Sequence, residues 1–173
     1  MKILIVSDSH GLTEELREIK AQYADEVQMM IHCGDSELQA DEKVLENFIV
    51  VQGNCDFSGQ FPEALVEEIG GLRIFVTHGH LYSVKSTLLN LSLRAQEAAA
   101  NIVCFGHSHF LGAEMIDGIL YINPGSIRLP RGRTEKTFVI LEVNENEMKL
   151  HVHDLNHGKL DDLTQVFSLP KRD

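Results

Sequence analysis

The first third of the chain contains three short apolar runs. The run at 2–7 is rich in β-branched residues and predicts a strand, and the runs at 27–32 and 48–52 share its character. Each run is followed at once by polar residues. We therefore expect three strands that end in short polar loops.

Amphipathic segments separate these strands. The segment 13–24 predicts a helix with Thr13 as its N-cap, and a shorter helix is predicted at 38–46. Alternation of strand and helix indicates parallel strands joined by crossover helices, whose carboxyl ends gather the binding loops. The residues that set the helical spacing in 13–24 are Leu16, Ile19 and Tyr23.

The rest of the chain is dominated by hairpins. A long helix rich in Leu and Ala is expected at 84–100, a strand at 101–105 and an edge strand at 162–169. The order predicts an α/β fold, best fitted by two mixed β-sheets packed as a sandwich with helices outside, in one domain spanning 1–173. The predicted hairpins pair 64–69 with 73–78, 113–117 with 119–123, and 137–143 with 148–155.

Composition narrows the class of protein. The chain has 173 residues, a net charge of −11 and three cysteines without paired spacing. Extended nucleic-acid binding is disfavoured by the charge, and a disulfide framework or zinc ribbon by the cysteines. No apolar run is long enough to span a membrane, and the first residues do not resemble a signal peptide. We expect a cytoplasmic protein, either a monomer or a homo-oligomer.

Chemistry-bearing residues follow five of the predicted strands. Because parallel strands bring their carboxyl ends to one edge, these residues are expected to meet there. Their imidazole, carboxylate and amide groups suit Mn, Fe, Zn, Co or Ni rather than Ca. The residues are Asp8 and His10, Asp35, Asn54 to Asp56, His78 and His80, and His107 and His109.

Such a set is typical of a site for two divalent ions. Two neighbouring dications repel each other, so an anionic group between them is needed. Asp35 is the candidate bridge, because Gly34 before it lets the backbone approach closely. Metal coordination lowers the pKa of water from 15.7 to about 7, which supplies hydroxide as a nucleophile.

The ordered motifs DSH, GD, GNCD, THGH and GHSH resemble those of the calcineurin-like metallophosphoesterase superfamily. The segment 122–132, INPGSIRLPRG, extends the resemblance to its small bacterial and archaeal phosphodiesterases and to the retromer scaffold subunit. The resemblance implies a four-layer α-β-β-α sandwich. It also implies two divalent metal ions, with manganese expected first and Ni, Fe, Zn or Co as alternatives.

The resemblance implies a role for each motif residue. Asp8, His10 and His109 would hold one ion, while Asn54, His78 and His107 would hold the other, with Asp35 between them. Asp35, Asn54 and Asp56 form the catalytic set, in which Asp56 is expected to orient Asn54 or the site water.

One position departs from the family pattern. Many members carry histidine where this chain has Cys55, and that histidine is thought to assist the leaving group. A neutral thiol is a poor general acid. The small phosphodiesterases share the cysteine, so hydrolysis is still expected, with low intrinsic activity or a need for a good leaving group.

Other polar residues allow two interpretations. His80 and Arg131 are candidates for contact with the substrate phosphate, or are ordinary loop residues. His32 is expected to be a satisfied core histidine. The tail histidines at 151, 153 and 157 are expected at the surface.

The predicted function is a metal-dependent phosphoesterase in which a metal-bridging hydroxide attacks phosphorus. Phosphodiesters are the expected substrates rather than monoesters. Its partner would be a small phosphate ester. The alternative is a protein-interaction scaffold of the same fold with a vestigial metal site, favoured by Cys55. A nuclease is disfavoured by the charge and by the lack of a long insertion.

Overall fold

The computed structural model describes residues 1–169, which form two β-sheets with one α-helix against each. The helices are α1 (Glu14–Tyr23) and α2 (Leu89–Glu97). The strands are β1 (Lys2–Val6), β2 (Met29–His32), β3 (Phe48–Val50), β4 (Ala64–Ile69), β5 (Leu72–Thr77), β6 (Ile102–Cys104), β7 (Leu111–Ile116), β8 (Ile119–Pro124), β9 (Thr137–Val143), β10 (Glu147–Asp154), β11 (Gly158–Lys159) and β12 (Gln165–Ser168).

Both sheets are mixed. The first has the order β11-β10-β9-β1-β2-β3, with β12 also paired to β10, and the second has the order β4-β5-β6-β8-β7. Strands β1, β2 and β3 are parallel, as are β5, β6 and β8. The sequence predicted this architecture, and the α/β sandwich is confirmed.

Three apolar clusters fill the spaces between four layers. Successive side chains of a strand point to opposite faces of its sheet, so one strand contributes to two of these clusters. In β1, Ile3 and Ile5 lie in the cluster between the sheets, while Leu4 and Val6 lie in the cluster that includes α1 residues. A third cluster joins the second sheet to α2 through Leu91 and Ala95.

The predicted helix at 38–46 is wrong. Only a 3-10 turn at Lys43–Leu45 forms there. The backbone of Glu42 is extended, with φ −61° and ψ 124°, and this interrupts a helix across the segment. Side chains of the next loop hold the start of the segment, since the Glu37 amide donates to Asp56 and the Ala40 amide to Gln60. Val44 and Leu45 are buried in this short turn, so the apolar residues that suggested a helix reach the core without one.

The predicted helix at 84–100 is too long. Helix α2 covers nine residues, and a 3-10 turn at His80–Tyr82 precedes it. The side chain of Thr87 accepts a hydrogen bond from the Leu89 amide at the start of α2, and Ala99 adopts a left-handed backbone after its end. At α1, Thr13 occupies the N-cap, but its side chain makes no capping bond.

The expectation that all tail histidines lie at the surface is wrong for two of them. His151 and His153 are buried on one face of β10. His153 stacks on Phe138 with ring centroids 5.2 Å apart, and its Nδ1 lies 3.1 Å from the Tyr23 hydroxyl. Helix α1 covers this face of the sheet, which the local pattern does not reveal.

Among residues 1–169, no helix has both the length and the apolarity that crossing a membrane requires.

Candidate metal centre

The predicted site residues come together at the carboxyl ends of β1, β2, β3, β5 and β6. Each follows its strand within a few residues, so the parallel strands direct five loops to one edge. The residues that these loops bring together are Asp8, His10, Asp35, Asn54, His78, His107 and His109.

Asp8, His10 and His109 form one group of donors. Their ligand atoms all lie within 4.8 Å of one another. His109 Nε2 is 3.1 Å from Asp8 Oδ1 and 3.3 Å from His10 Nε2. Two imidazole nitrogens and a carboxylate oxygen thus face a common point.

A second group surrounds His78. Its Nε2 is 3.2 Å from Asp35 Oδ2 and 3.1 Å from Asn54 Oδ1. The same Asp35 oxygen lies 4.0 Å from His10 Nε2, which belongs to the first group. Asp35 therefore stands between the two groups.

His107 lies beside the second group. Its ring centroid is 5.1 Å from that of His78 and 6.0 Å from that of His80. Its backbone amide donates to Asp8 Oδ2 at 3.1 Å. His107 and His109 thus belong to one loop but adjoin different donor groups.

Three of the histidines are held by their second ring nitrogen. Nδ1 of His78 is 2.7 Å from the Cys33 carbonyl oxygen, and Nδ1 of His109 is 2.7 Å from the Leu129 carbonyl oxygen. Nδ1 of His10 is 3.2 Å from a carboxylate oxygen of Glu37. Such partners fix the tautomer that leaves Nε2 free for a metal.

The loops adopt costly backbone conformations. Five of the gathered residues have positive φ values between 42° and 69°. The left-handed region costs side-chain-bearing residues about 1–2 kcal/mol each, and such strain clusters at functional sites. The five are Asp8, His10, Asp35, His107 and His109.

The motif glycines allow the loops to touch. A Cβ on Gly106 would fall closer than 3.0 Å to the side chains of Ser7 and Asp8, and one on Gly53 would do the same to Asp35. Only glycine lets these backbones approach the carboxylates. The glycines that begin the GNCD and GHSH motifs thus have a packing reason.

Asp8 gives the clearest indication of a cation site. Its Oδ1 is buried and has no hydrogen-bond partner among the described residues. The Nε2 atoms of His109, His10 and His78 lie 3.1, 3.8 and 3.9 Å from it. A buried carboxylate oxygen without a partner is destabilising. A cation among these donors would remove that penalty, and the mixed N and O set suits a borderline divalent metal.

The electrostatics favour a cation as well. Burial opposes ionisation of Asp8, but His109 and His78 lower its pKa overall. For Asp35 burial is likewise outweighed, because His78 and the Cys55 amide lower the pKa. Both carboxyls are therefore ionised at neutral pH. Burial, followed by the charges of His78 and Lys85, lowers the pKa of His107 to about 4, so this imidazole is neutral.

The contacts of Asp56 differ from the predicted ones. Its carboxylate accepts hydrogen bonds from the backbone amides of Asp35 at 2.9 Å, Glu37 at 2.7 Å and Gly53 at 2.7 Å. It makes no hydrogen bond to Asn54 among the described residues. Asp56 therefore ties the loop after β2 to the loop after β3.

The substrate-binding candidates lie at the margin of the site. His80 is half-buried with its ring centroid 5.4 Å from that of His78, and its Nδ1 lacks a hydrogen-bond partner within the described part of the chain. Arg131 is exposed, and its backbone amide donates to the His109 carbonyl. The Arg128 side chain, by contrast, donates directly to the His10 carbonyl.

The segment INPGS supports the site from behind. Ser126 Oγ donates to the Asp8 carbonyl at 2.8 Å, and Asn123 Nδ2 donates to the Gly106 carbonyl at 3.1 Å. The Gly125 amide donates to the Asn123 side chain and is not free for an anion. The sequence singled out the segment 122–132 but did not predict these contacts of Asn123 and Ser126, and it gave no signal for Glu37.

Cys55 is exposed and close to both donor groups. Its amide donates to Asp35 Oδ1 at 2.8 Å, and its thiol lies within 4.8 Å of ligand atoms of His10 and Asp35. Burial and then the Asp35 charge raise the pKa of the thiol to about 11. Without a metal the thiol is protonated at neutral pH.

His32 behaves as a core histidine. It is fully buried, with Nε2 at 2.8 Å from Ser9 Oγ and Nδ1 accepting from the Gly34 amide at 3.2 Å. Burial lowers its pKa to about 4. It braces the loops that carry Asp8 and Asp35.

Comparison with known proteins identifies close relatives. Residues 1–146 match the calcineurin-like phosphoesterase superfamily domain. The chain is 48% identical over 169 residues to the probable metallophosphoesterase YsnB of Bacillus subtilis, covering 98% of this chain and 100% of that one. It is 31% identical over 144 residues to the phosphodiesterase MJ0936 of Methanocaldococcus jannaschii, covering 72% and 83% of the two chains.

Solved structures agree with the fold. A predicted phosphoesterase from Streptococcus pneumoniae superposes with a TM-score of 0.92 at 37% identity, covering 96% of this chain and 97% of that one. Vps29 from Entamoeba histolytica, solved in complex with zinc, superposes with a TM-score of 0.75 at 20% identity and 98% coverage of both chains. The likeness to Vps29 is one of fold alone.

Proposed function

The chain belongs to the calcineurin-like phosphoesterase superfamily as a metallophosphoesterase, and we propose that it hydrolyses phosphodiesters at a site for two divalent metal ions. The observation that carries this proposal is the buried, unpartnered Oδ1 of Asp8 among three imidazole Nε2 atoms. The named phosphodiesterase among the relatives supports diesters as the substrate class.

Seven residues would hold the metals. Asp8, His10 and His109 form the first set, and the second set is Asn54, His78 and His107. Asp35 would serve both, since one of its oxygens lies 3.2 Å from His78 Nε2 and 4.0 Å from His10 Nε2. Bound divalent ions supply Lewis-acid polarisation of the phosphate and a lowered pKa for water.

The side chains of the protein have three tasks in this proposal. Asp8 and Asp35 provide the negative charge that lets two cations lie close together. The Nδ1 partners Glu37, Cys33 and Leu129 keep the imidazoles aimed inward. Asp56 acts as a positioning residue, because it holds the loops of Asp35 and Gly53 in register.

Proton supply to the leaving group is weak. The Cys55 thiol, with its pKa raised to about 11, is a poor general acid for an alkoxide. Burial, followed by the neighbouring His78, lowers the pKa of His80, so this imidazole is neutral and suits a hydrogen bond to the phosphate better than acid catalysis. We therefore expect a preference for esters with good leaving groups, such as aryl esters.

The experiment combines metal analysis with turnover. Protein stripped with EDTA should be inactive on bis(4-nitrophenyl) phosphate and should regain activity with Mn²⁺, with Ni²⁺, Co²⁺ and Zn²⁺ tested in parallel. Asp35→Asn should lose both turnover and bound metal. Asp25→Asn is the matched control, because Asp25 is exposed and precedes β2 at the opposite edge of the sheet.

Two results would contradict the proposal. One is full turnover by the EDTA-treated protein, and the other is unchanged turnover by Asp35→Asn. A scaffold with a vestigial site remains the second candidate, favoured by Cys55 and the Vps29-like fold. It would be supported if the metal-supplemented protein retained no ion and hydrolysed no diester.

A further inference from the structure

A cavity of about 330 Å³ lies beside the candidate metal centre on the outer face of the second sheet. We call it the ester pocket. Its walls are mostly apolar, and they come from the segment before α2 and from the ends of β6 and β7. The principal side chains are Val84, Leu88, Phe105, Phe110 and Tyr121.

The GHSH loop separates the ester pocket from the metal centre. Ser108 lines the pocket, while its neighbours His107 and His109 face the metal centre. Consecutive Cα atoms are about 3.8 Å apart, so the pocket wall and the proposed ligands are one residue apart.

The part of the pocket wall that precedes α2 also lies close to the metal centre. Val84 lines the pocket four residues after His80, whose ring adjoins those of His78 and His107. The charge of the next residue, Lys85, acts on His107. Val84 also lies against Gly79, the residue between His78 and His80, because a Cβ on Gly79 would fall 2.9 Å from the Val84 side chain. This wall of the pocket therefore adjoins the loop that carries His78.

The lining indicates the chemistry of the occupant. Glu114 is the charged residue of the lining, and it would repel a second anionic group. Phe110, which is 52% exposed, presents its phenyl ring as one of the apolar walls. The volume is at the lower end of the range for small-molecule sites and is sufficient for a ring-sized group.

We propose that the ester pocket binds an uncharged, ring-sized organic ester group of the phosphodiester substrate while the phosphate lies at the metal centre. This inference rests on the proposed function. It explains a preference for diesters, because a diester offers a second organic group and carries only one negative charge.

Gly112 offers a clean way to fill the pocket. It lies on the pocket floor in β7 with an ordinary backbone, and a Cβ added there would meet nothing within 4 Å. Gly112→Gln should therefore occupy the pocket without disturbing the fold. Phe110→Ala, which removes an exposed wall, is a second and independent variant.

The matched control is Ala21→Gln. Ala21 lies exposed on α1 beside a larger cavity of about 620 Å³ that is lined by Arg17, Lys20 and Asp25 and contains none of the candidate ligands. It adds the same side chain away from the ester pocket. Thermal unfolding of each variant checks that the fold is intact.

The measurement is calorimetric binding of phenylphosphonate and methylphosphonate to the Mn²⁺-loaded protein. Both probes carry the same anion and differ in one organic group. In the wild type and Ala21→Gln, phenylphosphonate should bind about tenfold more tightly, from burial of one ring. Gly112→Gln and Phe110→Ala should lose that preference while methylphosphonate affinity stays unchanged.

The outcomes separate the two proposals. A wild type that hydrolyses bis(4-nitrophenyl) phosphate but shows no phenyl preference, or a preference that survives both variants, overturns the ester pocket alone. If the wild type neither hydrolyses the diester nor binds methylphosphonate, the proposed function fails and the ester pocket fails with it.

Discussion

Two pairs of histidines share the same spacing but have different surroundings. His107 and His109 flank Ser108 in a loop, while His151 and His153 flank Val152 in strand β10. In the loop, both residues have positive φ, and the Nε2 of His109 faces the buried carboxylate of Asp8. In the strand, His153 is packed between aromatic rings.

The difference teaches that spacing alone does not identify a ligand. His151 pairs with the half-exposed Glu142 at 3.1 Å, and His153 with the Tyr23 hydroxyl. Neither belongs to a cluster of three metal-binding groups within residues 1–169, whereas His109 does. Buried carboxylates and strained loops mark the functional pair, and aromatic packing marks the structural one.

The largest expected contrast is in activity. His109→Ala should lower kcat/KM for an aryl phosphodiester by at least about a hundredfold, because it removes a proposed ligand. His153→Ala should keep its activity within about twofold but lose about 2 kcal/mol of unfolding free energy, since a packed ring is removed. Steady-state kinetics and urea unfolding of both variants test the contrast. Equal kinetic losses would contradict it.

Replacing glycine by alanine should lower the unfolding free energy in the GHSH loop but not in strand β7. Gly106→Ala places a methyl group against Ser7 and Asp8 and should cost about 1–3 kcal/mol through overpacking, with loss of activity. Gly112→Ala, which meets nothing within 4 Å, should change stability by less than about 0.5 kcal/mol. Chemical denaturation measures both. A tolerated Gly106→Ala would show that the loops are less tightly packed than described.

Metal binding should raise the unfolding free energy of the chain through the metal centre and not through the histidines of β10. Mn²⁺ at a hundred times its Kd should add about 2.7 kcal/mol for each bound ion, or about 5–10 °C in Tm per ion. The shift should vanish with EDTA and in Asp35→Asn, yet persist in His153→Ala. Differential scanning fluorimetry measures it. An equal shift in Asp35→Asn would place the ion elsewhere.

The expected effect that is smallest at neutral pH, and that grows on acidification, is a change in pH dependence. Burial lowers the pKa of His153 to about 4, below its ordinary value of 6.5. The unfolded chain therefore binds a proton that the folded chain refuses, and stability falls as pH drops from 6.5 towards 4. His153→Gln should flatten this slope by up to about 1.4 kcal/mol per pH unit. Urea unfolding across that range tests it, and an unchanged slope would mean that His153 titrates normally.

The strand ends could be predicted because two rules act locally. Apolar runs mark the strands, and parallel order sends their carboxyl ends to one edge. Asp35 and His78 are 43 positions apart in the sequence and follow strands of different sheets, yet their side chains lie 3.2 Å apart, because the two packed sheets present these strand ends at one edge of the sandwich. The hairpin around Gly70 and Gly71 was also predictable from its turn residues.

Features set by distant contacts could not be predicted. The missing helix at 38–46 reflects the extended backbone of Glu42, and the start of the segment is held by Asp56 and Gln60 of another loop. The burial of His153 depends on Tyr23, which is 130 residues away. The backbone partners of Asp56 and the role of Ser126 likewise follow from loops that meet only in the folded chain.

The central claim is that the gathered donors, and not the strand pair, bind metal. Metal content after dialysis, measured by inductively coupled plasma mass spectrometry, tests it most directly. We expect two ions per chain in the wild type and in the His151→Ala/His153→Ala double variant, with loss of metal in Asp35→Asn. Metal retained by Asp35→Asn but lost from the double variant would contradict it.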